Sequence, residues 1–174
     1  PSERIESLLR AMQSGPPLLC LVPEGVTPLA PAPGERITQG TLTLQGIPFL
    51  APDDYDRLLW SCDLNFVRGE DSAVRAQWAA QPMLWQLYPQ AEQAHLAKLE
   101  AFLALYGVGL DPESGRVWCS FTRWWNGDPA GKVDWQDLIR ALPLLKAHAH
   151  DWQQRLAIQS ELAGGLIEFA SEIG

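Results

Sequence analysis

Between Leu18 and Gly107 the sequence alternates short apolar runs with amphipathic stretches of helical period, joined by connections of a few residues. That alternation predicts an α/β fold, because parallel strands need a crossover and a helix packing back on the sheet supplies it. Ile5, Leu8, Leu9 and Met12 recur at helical spacing and mark a first helix, stopped by Ser14-Gly15-Pro16-Pro17. Leu18–Val22 reads as a buried strand, and residues 23–36, with four Pro and two Gly, as a loop. Thr41–Leu44 alternates with period two, and Ile47–Leu50 is a second short strand or an extended segment. Asp53 and Asp54 are candidates to cap a helix over Tyr55–Ser61. Leu64–Val67 and Met83–Leu87 are further strands, each followed by a helix, Asp71–Ala80 and Ala91–Tyr106.

The remainder is helical, with segments at Val117–Trp125, from about Asp134, and at Ser160–Ala170. Asp134 can accept the amide of Asp137, with Val133 and Leu138 at the staple positions. Trp135, Leu138, Leu142, Leu145, Ala149, Trp152 and Leu156 form a packing stripe, and Pro143 inside it is expected to kink or split the helix.

The 174 residues, 47% of them apolar, suffice for one packed domain. A net charge of −8 leaves no basic footprint, so a nucleic-acid partner is not expected. Cys20, Cys62 and Cys119 are too sparse for a disulfide framework and read as reduced thiols. No apolar run approaches the ~18 residues of a membrane span, and no secretory signal is present at residue 1. A cytoplasmic monomer is the expectation. The eight Trp are read as mostly core. Pro1 in place of Met, followed at once by a helical pattern, reads as a cut within a longer protein.

The chemistry concentrates in residues 62–75. A strand ends at Val67, a three-residue turn carries Arg68, Gly69 and Glu70, and a helix starts at Asp71 or Ser72. Turns at the carboxyl ends of parallel strands are where open α/β sheets bind ligands. Gly69 permits close backbone approach, and the first amides of the helix suit a phosphate. Arg68 adds a permanent fork of donors. Two acids beside an anion site need a reason: Asp71 serves as an N-cap, while Glu70 pairs with Arg68 or accepts sugar hydroxyls. Read from the residues alone, an ordinary capped turn with an exposed Arg–Glu pair explains the segment as well. Gly127–Val133 has neither the spacing nor the Ser/Thr of a P-loop. His148 and His150 face different ways on their helix, and His95 stands alone on a polar face, so no metal site is expected.

The segments Asp53–Trp60, Cys62–Ser72, Val74–Ala79 and Tyr88-Pro89-Gln90 together resemble the elongation factor P arginine rhamnosyltransferases, the EarP family. The match is dense over about residues 47–106. It implies an inverting transfer of L-rhamnose from dTDP-β-L-rhamnose to one arginine of elongation factor P. The implied fold is a Rossmann-like parallel sheet with flanking helices, the C-terminal domain of a GT-B glycosyltransferase, with a helical tail. On that basis residues 1–133 form the donor-binding domain, short of its first strand, and residues 134–174 the helices packing on it. The acceptor domain and its general base lie outside this chain, which is expected to be inactive alone.

Carried over by position, Glu70 matches the family's essential glutamate. Asp71 and Ser72 match residues at the diphosphate and ribose, and Arg68 the neighbouring arginine. Phe49 matches the aromatic that stacks on thymine, Tyr55 a second aromatic near the base, and Tyr88 the tyrosine facing the phosphates. No cofactor or metal is implied, and no Asp-x-Asp stands in a phosphate-clamp context. Pro52 and Gln86 depart from the family, where Gln and His are usual. The alternatives are a non-catalytic α/β interaction module, or a transferase for another nucleotide sugar.

Overall fold

The computed structural model describes residues 2–90 and 94–158. Eleven elements follow in chain order: α1 (Ser2–Met12), β1 (Leu18–Pro23), β2 (Arg36–Gln39), β3 (Leu42–Ile47), α2 (Pro52–Ser61), β4 (Asn65–Arg68), α3 (Glu70–Trp78), β5 (Met83–Gln86), α4 (Ala94–Tyr106), α5 (Pro112–Asn126) and α6 (Trp135–Ile158). The expected α/β alternation is present, with parallel pairing of β1 to β3 and of β4 to β5. The ladders form two pieces, β1-β3-β2 and β4-β5.

Several boundaries differ from the expectation, each for a local reason. Arg36–Gln39 forms β2, an exposed edge strand antiparallel to β3, where a loop had been expected to end at Arg36. Its four residues lie too near the Pro-rich loop, and bury too little, to stand out by periodicity. β3 is one strand ending at Ile47, and Pro48–Leu50 belongs to no strand. Asp53 and Asp54 do not cap α2: Ala51 is the N-cap without a side-chain bond, and Pro52 starts the helix with its φ already fixed. Both acids instead sit in the first turn, where the helix dipole favours them. α5 begins five residues earlier than Val117, because Asp111 accepts the Ser114 amide at 2.9 Å and Pro112 opens the helix. Asp134 caps α6 as expected, at 3.0 Å from the Asp137 amide.

Pro143 does not split α6, which runs unbroken from Trp135 to Ile158. The lost bond is offset by packing on both sides: Leu138 and Ala141 before the proline, and Leu145, His148, Ala149 and Trp152 after it, are all buried. The Ser160–Ala170 segment and residues 91–93 of the expected fourth helix lie outside the described residues.

One core joins the sheet pieces to α4, α5 and α6. Met83, Leu84 and Trp85 on β5 are all buried, the continuous run typical of a strand covered on both faces. β5 shows its inner edge to β4 and its outer edge to α5. There the side chains of α5 take the place of a neighbouring strand: Trp118 donates its indole N–H to the Met83 carbonyl at 2.8 Å. Asn126 then donates to the Trp85 carbonyl at 2.7 Å and accepts the Leu87 amide at 2.8 Å. The edge is thereby closed. Of the eight Trp, Trp60 and Trp78 are exposed, so the aromatic surplus is core only in its larger part.

His148 is buried on α6, with Nε2 2.7 Å from the Tyr106 carbonyl. A carbonyl only accepts, so this nitrogen carries the proton. Burial pushes the His148 pKa below its usual value, Tyr106 and Asp151 opposing that shift and Arg155 adding to it. Unfolded histidine takes up a proton near pH 6.5, so below that pH the unfolded chain binds more protons and stability falls. Thermal melts are expected to shift downward between pH 7 and pH 5.5, and His148→Gln to flatten that slope. A slope unchanged by His148→Gln would assign the effect elsewhere.

Candidate anion-binding corner at the start of the third helix

β4 runs straight into α3. Asn65 anchors the entry to β4 by donating to the Leu59 carbonyl at 2.9 Å, tying the end of α2 to the strand. At the exit, Gly69 holds φ 78° and ψ 174°, and the helix begins at Glu70. The N-cap is therefore Gly69, and the expectation that Asp71 caps this helix is corrected. A residue with a side chain pays heavily in that region, whereas glycine enters it freely. The turn is held by two bonds: the Gly69 amide donates to the Gln86 carbonyl at 3.1 Å, and the Trp85 indole donates to the Gly69 carbonyl at 2.9 Å.

The first intrahelical bond of α3 runs from the Ala73 amide to the Gly69 carbonyl. The amides of Glu70, Asp71 and Ser72 precede it and have no acceptor behind them in the helix. They carry the positive end of the helix dipole; the Glu70 amide faces its own carboxylate, and those of Asp71 and Ser72 form a site shaped for an anion. Tyr88 closes one side. Its ring lies against Gly69, where a Cβ would meet Tyr88 Cε2 at 2.9 Å, and the Arg68 guanidinium stands 4.8 Å from the ring centroid. The stack of Arg68, Tyr88 and Gly69 unites residues 20 positions apart.

The two acids are both paired with cations, where a cation, Arg68, was expected for Glu70 alone. Glu70 bonds Lys98 at 2.7 Å instead of Arg68. That bond, with help from the Glu70 backbone amide, lowers the Glu70 pKa below the ordinary carboxylate range. Asp71 bonds Arg75 at 3.1 Å, one helical turn on, and Arg75 also bonds both oxygens of Asp56 on α2 at 3.0 Å. Asp56 is the larger cause of the raised Arg75 pKa. Among the described residues no carboxylate lies within ion-pair reach of Arg68, which leaves its charge for a ligand.

Arg68, Glu70, Asp71, Ser72 and Tyr88 thus share one corner. Tyr55 is half-buried on α2 and packs on the core. Phe49 projects from the extended segment before α2, 82% exposed, with a bare ring face. Pro52 opens α2, and the Gln86 side chain turns away to the Trp125 carbonyl at 3.3 Å. His148 is a buried structural group and His150 bonds Gln154 on the surface. His95 is buried, not on a polar face, and accepts the Gln90 amide at 3.3 Å behind the Tyr88 loop. Among the described residues no group of three or more His, Cys, Asp or Glu is arranged to hold a metal ion.

Four contributors were not singled out from the sequence: Lys98, Trp85, Arg75 and Asn126. The Asp71–Arg75 spacing was a visible i,i+4 signal. Lys98 reaches the corner from α4 and Asn126 the outer edge of β5 from α5, and no local pattern announces them.

Comparison with known proteins places this corner in context. The family model described as elongation factor P (EF-P) rhamnosyltransferase EarP matches residues 1–171. A protein-arginine rhamnosyltransferase of Pseudomonas putida is 50% identical over 136 residues, which are 78% of this chain and 36% of that protein. One of Pseudomonas aeruginosa is 42% identical, covering 97% of this chain and 46% of its own length. The chain thus spans less than half the length of these relatives. A solved structure concerning EarP-mediated arginine glycosylation of translation elongation factor EF-P superposes with a TM-score of 0.76 at 40% identity. It covers 94% of this chain, which corresponds to 55% of that one.

Proposed function

Since the chain belongs to the EarP family of elongation factor P rhamnosyltransferases, we propose that it supplies the donor-binding half of a protein-arginine rhamnosyltransferase. The donor is dTDP-β-L-rhamnose, and the acceptor is an arginine of elongation factor P. The observation carrying this reading is the corner itself: the helix-start amides of Asp71 and Ser72, an Arg68 with no ion-pair partner among the described residues, and a tyrosine converge where a diphosphate needs donors.

The chemistry follows from charge. In an inverting displacement a guanidine nitrogen of the acceptor bonds to C1 of the sugar as the C1–O bond breaks, and dTDP departs with the electron pair. The guanidinium proton passes to a carboxylate that we place on the acceptor-binding half. Negative charge grows on the leaving diphosphate, and the α3 amides, Ser72, Arg68 and Tyr88 are the groups that stabilise it. Glu70 accepts hydroxyls of the sugar, Asp71 lies at the diphosphate and ribose, and Phe49 and Tyr55 flank the thymine. Donors of this kind do the work without a metal ion.

The remaining assignments are part of the same proposal. The fold is the C-terminal domain of a GT-B enzyme, with residues 1–133 as the nucleotide-sugar domain and the segment from 134, of which α6 is the described part, packed on it. β1 and β4 each carry an unpaired ladder edge among the described residues, and one further parallel strand between them joins both pieces. Among the described residues no helix is long and apolar enough to cross a membrane. A cytoplasmic monomer acting on a translation factor fits the reading.

The test is calorimetric titration of the full-length protein containing this chain with dTDP, UDP and GDP, followed by mass spectrometry of elongation factor P. Saturable, thymine-selective binding weakened by Tyr88→Ala, and a deoxyhexose added to one arginine and lost in Glu70→Ala, are expected. Equal binding of all three nucleotides would redirect the proposal to another sugar donor. A partner retained after replacement of Arg68, Asp71 and Ser72, without dTDP binding, would favour an interaction module.

A further inference from the structure

The Glu70–Lys98 pair raises a question of cost. Lys98 lies on α4 and Glu70 at the start of α3, 28 residues away, and both side chains are about half exposed. An exposed ion pair adds little to fold stability, because solvent screens it and two long side chains lose their freedom. Yet this one is short, at 2.7 Å, and the ammonium has a second restraint: it stands 5.4 Å from the ring centroid of Trp85. Trp85 is itself fixed, buried in β5 and bonded through its indole to the Gly69 carbonyl. The lysine head is therefore held between an indole face and a carboxylate, and the indole holds the very turn from which that carboxylate projects.

We propose that Lys98 is a positioning residue for Glu70: seated on Trp85, it binds one carboxylate oxygen and leaves the other to accept a hydroxyl of the donor sugar. This rests on the reading of Glu70 given above. Two consequences follow from the arrangement. A glutamate at the first position of a helix rotates through several staggered conformers when nothing restrains it. Lys98 selects one of them before substrate arrives, so the ordering is not charged to the reaction. The ammonium also offsets the carboxylate charge beside an anion site, which removes the repulsion that a bare glutamate would exert on a diphosphate.

The pair links α4 to the corner through side chains alone. Phe102, one turn of α4 beyond Lys98, packs edge-on against the same Trp85 at 5.1 Å, so the lysine stem rises from a fixed base. Arginine at position 98 retains the charge and the affinity for an indole face. Methionine retains the stem and loses both.

The experiment is a double-mutant cycle in the full-length enzyme with dTDP-β-L-rhamnose and elongation factor P, reading kcat and the donor KM separately for Lys98→Met, Lys98→Arg, Glu70→Gln and the Lys98→Met/Glu70→Gln pair. Lys98→Met is expected to lower kcat at least tenfold with a donor KM within about threefold, and Lys98→Arg to recover most of that loss. In the Glu70→Gln background, Lys98→Met is expected to cost less than twofold. Unchanged kcat in Lys98→Met, with Glu70→Gln impaired, overturns this inference alone. An equal loss in both backgrounds overturns it too, since Lys98 then acts independently of Glu70. Undiminished transfer by Glu70→Gln overturns the reading of Glu70 and this inference with it.

Discussion

Gly69→Ala in the full-length enzyme is expected to weaken dTDP binding more than tenfold and to lower transfer by about 10²-fold. Two penalties coincide at this residue. The backbone holds φ 78° with ψ 174°, a region that costs a residue bearing a Cβ about 1–3 kcal/mol. The new methyl also meets Tyr88 Cε2 at 2.9 Å, so either the strand-to-helix turn shifts or the tyrosine ring swings away. The ring is the cheaper to move, and it carries the Arg68 stack with it. Loss of one preorganised donor at a developing anion lowers kcat by about 10²–10³. Gly109→Ala is the control: that glycine has φ 88° at the far end of α4, with nothing within 4 Å of an added Cβ. It is expected to lose stability and to keep transfer. Calorimetry and initial rates distinguish the two, and equal behaviour of both variants would show that Gly69 matters only as backbone.

The largest stability loss is expected from Trp118→Ala, at about 4–8 kcal/mol. Trp118 is 1% exposed, with Tyr106 at 4.8 Å and Phe102 at 6.1 Å between ring centroids. Truncating a buried aromatic to alanine costs about 3–5 kcal/mol. The Met83 carbonyl on the outer edge of β5 then loses its donor, which adds roughly 1–3 kcal/mol. The total is a large part of what holds an ordinary domain folded. Trp118→Phe keeps the ring packing and loses the hydrogen bond, for an expected cost nearer 1–3 kcal/mol. Urea denaturation of the full-length protein measures both. Equal losses would mean that the bond to Met83, rather than ring volume, dominates.

The candidate site was legible to different depths at different residues. Arg68, Gly69, Glu70 and Ser72 stood out because a strand end, a glycine and a helix start occupy adjacent positions, and adjacency in sequence fixes adjacency in space. The role of Asp71 was misread for a related reason. Capping depends on one φ/ψ pair, and the positive φ of Gly69 moved the N-cap back from Asp71 by two residues. Tyr88 came from the family resemblance, and its contact with Gly69 came from the parallel register that sets Arg68 against Gln86. Lys98 and Asn126 were invisible. Lys98 reaches the corner from α4 and Asn126 the outer edge of β5 from α5, at distances set by core side chains and not by any repeat in the chain.

Similar limits applied to the fold. Strongly periodic segments such as α1 and the stripe of α6 were plain, since a helix that buries one face must repeat apolar residues at 3.6. β2 escaped notice because four exposed residues bury nothing, and its existence depends on β3 lying beside it. The early start of α5 was written locally in Asp111-Pro112, and only the buried Trp118 and Phe121 show why that helix is the one that closes β5.

The sequence by itself determined the α/β alternation, the strand-to-helix corner and the family to which the chain belongs. These rest on local pattern and on residues in fixed order. Tertiary structure alone decided which cation meets Glu70, which ring lies over Gly69, and what closes the outer edge of β5. Those contacts join positions 19 to 41 residues apart, and their partners are selected by how helices pack on a sheet, a property of shape and volume that no single segment carries.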